Sequence, residues 1–152
     1  MTMIWATPAE VRAVFAAHAE ALGSTEWPAL PEGDAAVQVL VDHATRVLAL
    51  KAIRWPLLDD DDRPEDTEQR GHVVQAVCEV IRDRLLSKAM VAELGGRGAA
   101  EVISGGGRVK AGNLEVQGGG SSRWLADRSR VPVDAYAALA AAGMIGGSVP
   151  TW

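Results

Sequence analysis

Ten of the chain's sixteen glycines lie between Gly95 and Gly120. Glycine loses more backbone freedom on ordering than any other residue, so a packed core has little use for such a concentration. Any core must therefore be built from the residues before and after the cluster. At its centre, "ISGGGRVKAGNLEVQGGGSS" (103–122) sets two glycine triplets around a short β-branched and apolar stretch. Such a segment is a phosphate-cradling loop, a linker, or an arm that orders against a neighbour.

The first option fails on spacing. A phosphate cradle needs its glycines to lead directly into a helix N-terminus, usually with a Lys-Ser/Thr pair. "GGRGAAEVISGGGRVKAG" supplies Arg97, Arg108 and Lys110 but no such helix. Instead "EVIS", "RVKA" and "LEVQ" alternate like strands, and Gly112-Asn113 suits a two-residue hairpin turn.

Outside the cluster the pattern is helical. "TPAE" opens the first helix, with Thr7 as N-cap, Pro8 at the first helical position and Glu10 closing a capping box. Val11, Val14, Phe15, His18 and Leu22 share a face, and Gly23 ends it. The second helix is expected from about Asp34 to Arg54, with Val37, Leu40, Val41, Ala44, Val47 and Leu48 inward and Trp55-Pro56 as the stop. The third starts at Asp66 or Thr67 and stops at Gly95-Gly96. Its stripe is Val73, Val74, Val77, Val80, Ile81, Leu85 and Leu94, with Arg70, Glu79, Arg82, Asp83 and Lys88 off it. At 1.5 Å per residue it measures about 40 Å, more than a small core requires. A short fourth helix begins near Pro132 and ends at Gly143, with the uncharged "MIGGSVPTW" after it.

The expected fold is mainly α: a small helical bundle with a long central helix, a Gly-rich β-arm or hairpin, and a short C-terminal helix plus tail. One domain of this length carries appendages. The body is 1–96, the arm 97–122, and the C-terminal helix with a docking tail 123–152.

No catalytic or metal site emerges, and no cofactor is expected. "LLDDDDRPED" (57–66) gathers six carboxylates without the glycine bend of a calcium loop, and reads as a solvated connector that caps the third helix through Asp66. The three histidines, His18, His43 and His72, are far apart. Cys78, the one cysteine, lacks an activating neighbour and is expected to be buried and inert. It excludes an intrachain disulfide and a multi-cysteine zinc site. Five of seven aromatic residues are tryptophan (Trp5, Trp27, Trp55, Trp124, Trp152), placed to clamp segment junctions or meet partners. The net charge of −5 argues against broad attachment to nucleic acid. With no signal-peptide pattern and no apolar run long enough for a bilayer, a soluble protein made in a cytoplasm is expected.

Taken in order, these segments resemble the head-to-tail adaptor (connector) proteins of long-tailed double-stranded DNA phages. "WATPAEVRAVF" is similar to the family's opening helix, and "VQVLVDHATRVLALKAIRWPL" to its second. "TEQRGHVVQAVCEVIRDRLL" resembles the family's long helix, "GGRVKAGNLEVQGG" its extended segment, and "VPVDAYAALAAAG" its closing helix. The resemblance implies a structural virion protein at the neck, assembled in the host cytoplasm. About twelve copies would form a ring under the portal, extend the DNA channel without holding DNA, and meet a tail-side stopper or completion protein. It points to portal docking by Tyr136, Leu139, Met144, Ile145, Val149, Pro150 and Trp152. It points to inter-subunit contacts by an arm carrying Val102, Ile103, Arg108, Val109, Lys110, Leu114, Glu115 and Val116.

Two other readings stand beside it. One is a monomeric helical domain whose glycine segment is a disordered loop. The other is a small helical DNA-binding or replication-accessory protein using Arg82, Arg84, Lys88, Arg97, Arg108 and Lys110. The chain's acidity opposes the latter.

Overall fold

The computed structural model describes residues 2–93, 108–111, 114–117 and 131–146. It is mainly helical: α1 (Pro8–Leu22), α2 (Asp34–Ala49), α3 (Thr67–Glu93) and α4 (Val133–Ala141), with strands β1 (Arg108–Ala111) and β2 (Leu114–Gln117) between α3 and α4. The expected arm residues Val102 and Ile103 lie outside the described residues. Two compact units result, Met1–Asp83 with Val131–Trp152, and Arg84–Arg130. This division differs from the sequence-based boundaries at 96 and 123, for a reason visible in the packing. Burial along α3 stops after Ile81, while Ala135, Ala138 and Leu139 of α4 are buried with the body.

Within the first unit, α1 begins as its sequence dictates. The Thr7 N–H donates to Glu10 Oε2 (2.9 Å) and the Glu10 N–H donates to Thr7 Oγ1 (3.4 Å), so the capping box satisfies two amides of the first turn. Val11 and Phe15 are buried, Val14 and His18 half-buried, and Leu22 is exposed, which corrects its assignment to the inner face. The helix ends at Gly23. Helix α2 buries Val37, Val41, Ala44, Val47 and Leu48. It stops at Ala49, five residues short of the expected Arg54, because the N–H groups of Ile53 and Arg54 both donate to the Met144 carbonyl (2.9 and 3.0 Å) rather than to the preceding helical turn. A tertiary partner ends this helix before its proline does.

Helix α3 starts on Asp66, whose Oδ1 accepts the Gln69 N–H at 2.7 Å. From Val73 to Ile81 every residue except Gln75 is buried. A helix apolar around most of its circumference is one enclosed by neighbours. Glu79, expected off the inner face, is buried there; it accepts from Gln75 Nε2 (2.9 Å) and pairs with Arg82 (3.3 Å). Helix α4 closes with a Schellman turn: the Gly143 N–H donates to Ala140 and the Met144 N–H to Leu139. Gly143 holds φ +72°, which disfavours a side chain. The turn buries Met144 and brings its carbonyl to Ile53 and Arg54. Gln69 Nε2 adds a bond to the Ala142 carbonyl at 2.6 Å.

The four-aspartate connector is more ordered than a solvated run. Asp59 Oδ1 accepts the N–H groups of Asp61 and Arg63 (3.0 Å each), and its carboxylate meets the Arg70 guanidinium. Asp62 takes φ +59°, and its carbonyl receives the Ile4 N–H at 2.8 Å. Arg63 pairs with Glu10, tying the connector to the start of α1.

These two carboxylates make the fold acid-sensitive. Burial pushes Glu10 up, but Arg63 and the Thr7 groups outweigh it and hold it below its ordinary value. Asp59 is lowered chiefly by the Arg63 N–H, and then by Asp61 and Arg70 against some burial. With folded pKa values depressed, the unfolded chain takes up protons first. Their stabilisation is complete above the ordinary carboxylate range and is lost as pH falls through the folded values. The urea midpoint is expected to fall steadily below about pH 5, and less steeply in a Glu10→Gln, Asp59→Asn double variant. Equal slopes in the two proteins would rule these groups out as the source.

In the second unit β1 and β2 pair antiparallel, with Arg108 opposite Gln117, Val109 opposite Val116, Lys110 opposite Glu115 and Ala111 opposite Leu114.

Candidate functional site

Between α2 and α3 the chain runs in non-helical conformation from Ala52 to Leu57. The run is not a regular strand: it bends at Arg54, whose amide joins that of Ile53 on one carbonyl. Its large apolar side chains are turned to solvent all the same: Leu50 is 78% exposed, Ile53 70%, Trp55 55% and Leu57 78%. Ala52, Pro56 and Leu58 are half-buried, and Arg54 is exposed. Four large apolar side chains exposed within eight residues form a ridge, whereas single exposed ones are ordinary on any surface.

The ridge is held from three directions. Trp55 packs against buried Trp5 at 5.7 Å and an interplanar angle of 85°. The Leu57 carbonyl accepts the Glu65 N–H at 2.8 Å, and Leu58 bridges to Pro64. On the α4 side the Met144 carbonyl takes both amides of Ile53 and Arg54. A Cβ placed on Gly146 would sit 3.6 Å from Ile53 Cδ1, so the chain beyond α4 runs directly against the ridge. A rigidly supported apolar strip suits protein contact and has no groups for bond-making chemistry.

The residues assigned to portal docking divide. Tyr136 is 47% exposed and Ile145 half-buried. Leu139 and Met144 are fully buried in the protein's own core, which takes their side chains off the surface as contact residues. Val149, Pro150 and Trp152 lie outside the described residues. Sequence reading misses the ridge because Leu50, Ile53 and Trp55 read as the end of a helix and its stop. The signal is present all the same: alternation of large apolar residues around Pro56 is a strand-like pattern.

Trp27, in the α1–α2 connector, is a clamp within the body. It is buried between the Phe15 edge (4.9 Å, 84°), the stacked His18 ring (4.3 Å, 11°) and the Arg82 guanidinium (5.1 Å). His18 also meets Gln75 Oε1 at 3.3 Å, so its partners come from α3 and the connector and not from its own helix. Arg82 additionally donates to the Glu26 carbonyl at 2.6 Å. This cation is committed to structure, which takes it out of the set expected to face DNA.

Cys78 is fully enclosed, and burial, followed by the charges of Glu79 and Glu10, pushes its thiol up to about 12. It is a core residue in this fold, far from the thiolate a nucleophile needs. Among the described residues, one shallow depression of about 430 Å³ lies beside His72 and Gly143 and another of about 340 Å³ beside Phe15 and Trp27. No group of His, Cys, Asp and Glu among the described residues is arranged to hold a metal, and no described helix is long and apolar enough to cross a membrane.

No family model, curated protein or solved structure matches the chain.

Proposed function

We propose that the protein is a structural head-to-tail adaptor of a long-tailed double-stranded DNA phage. In this reading it forms a ring beneath the portal and passes DNA to the next tail-side protein. The observation that carries the reading is the apolar ridge Leu50–Leu57 beside the segment leaving α4, a supported contact surface on an otherwise acidic chain. The order of helices and the extended segment resembling the adaptor family supply the rest. The long third helix is the rod of the bundle, and the glycine-rich segment around β1 and β2 is an arm that pairs with neighbouring copies on assembly. An acidic surface lets DNA pass without retaining it. Portal contact falls to Tyr136, Ile145 and the residues after Gly146, with the ridge alongside.

Adding the purified protein to cognate DNA-filled heads that lack tails, and imaging them by electron microscopy, tests the reading. Ring density under the portal is expected, together with feeble retardation of duplex DNA even at low salt. Heads left bare by the folded protein would overturn it. Strong DNA retardation with a steep salt dependence would favour the DNA-binding reading instead.

A further inference from the structure

We infer that two copies of the protein pair in solution through residues 50–61, each seating its exposed apolar side chains on the other's. Leu50, Ile53, Trp55 and Leu57 stand out from this bent loop, and charges flank them. Lys51 and Arg54 come in its first half, Asp60 and Asp61 at its end, and all four are exposed. No ion pair or side-chain hydrogen bond among the described residues engages them. Their neighbours are already matched: Asp59 pairs with Arg70, and Arg63 with Glu10. The charges left over are sorted along the chain, cations before anions, with the apolar residues among and between them. Such an order is its own complement under a two-fold rotation, which brings Lys51 and Arg54 of each copy to Asp60 and Asp61 of the other. A partner of one sign alone would leave one end of the loop facing like charge.

Much of the loop's backbone is already occupied. The N–H groups of Ile53 and Arg54 donate to the Met144 carbonyl, the Leu57 carbonyl accepts the Glu65 N–H, and the Asp59 N–H donates to the Arg63 carbonyl. With these groups taken and the chain bent at Arg54, the contact is made by side chains and not by strand pairing. Trp55 is braced on buried Trp5, so the loop loses little freedom when a partner arrives. The four apolar residues expose on the order of 600 Å² per copy, so two copies reach about the 1,200 Å² at which specific interfaces begin. That size suits a pair that opens again. The inference concerns the protein in solution and does not rest on the adaptor reading. If both hold, the pair must open before the ridge faces the portal.

The test is analytical ultracentrifugation of the full chain from micromolar to millimolar concentration. The mass is expected to rise with concentration from 16.0 kDa toward twice that value and no further. A Lys51→Glu, Arg54→Glu variant and an Asp60→Lys, Asp61→Lys variant, each altered only at exposed positions, should keep the wild-type melting temperature and self-associate at least tenfold more weakly. Mixed in equal amounts, the two variants should pair again, because every reversed charge then meets its opposite. A single-chain mass at all concentrations would overturn the inference, whatever then covers the loop. Growth past two copies would replace the two-fold contact by a head-to-tail one and overturn it as well. So would variants that associate like the wild type, or folded variants that stay apart when mixed.

Discussion

Ile81→Asp is expected to cost the protein most of its stability. The side chain is 1% exposed and lies one helical turn from Val77, in the stretch of α3 that is enclosed almost all round. A carboxylate there is cut off from water, and an unpaired buried charge costs several kcal/mol or protonates at a similar penalty. Against a total of about 5–15 kcal/mol, that lowers the melting temperature by roughly 10–20 °C or abolishes the cooperative transition. Lys88→Asp, on the same helix but exposed, is the control and should stay within about 0.5 kcal/mol of wild type. Thermal melts monitored by circular dichroism decide the matter. If Ile81→Asp melts with the wild type, α3 is not the centre of the body.

Trp27→Ala comes next. Its ring touches Phe15 and His18 of α1 and lies under Arg82 of α3, so the deletion opens a cavity where two helices and a connector meet. Large aromatic deletions in cores cost about 3–5 kcal/mol, and the cation–π contact adds about 0.5–1 kcal/mol to what is lost. Urea unfolding should show this as a lower midpoint at unchanged m-value. Trp27→Phe keeps the edge contact and much of the volume, and should recover more than half of the loss. A deficit below about 1 kcal/mol for the alanine variant would mean that the connector does not clamp the helices.

The helices are legible in the sequence where local rules govern them. Thr7, Pro8 and Glu10 specify the start of α1 through hydrogen bonds made within four residues, and Asp66 does the same for α3. Gly23 and Gly143 mark helix ends through their backbone conformations. Legibility stops where a distant residue decides. Nothing near Ala49 announces that Met144 will capture the amides of Ile53 and Arg54, so α2 reads too long and the ridge is hidden inside it. Leu139 and Met144 read as free apolar side chains because periodicity shows that a face is apolar without showing what covers it. Glu79 reads as solvent-facing by its charge, whereas Gln75 and Arg82 make its burial tolerable. Asp59 reads as one of four equivalent acids, and only the loop's geometry singles it out as the anchor for Arg63 and Arg70.

The body's two sequence pieces, Met1–Asp83 and Val131–Trp152, have a consequence for how the protein is made. The first three helices, which end at Glu93, are synthesised before Leu139 and Met144. At about 5–20 residues per second, the synthesis of some fifty intervening residues leaves them waiting for roughly 2–10 s. During that interval the sites later filled by Leu139 and Met144 stand open, and Ile53 and Arg54 lack the carbonyl that fixes them. Completion is thus timed by translation of the last stretch, and a nascent chain stalled before residue 139 should be recognised by chaperones as unfinished however many of its helices have formed.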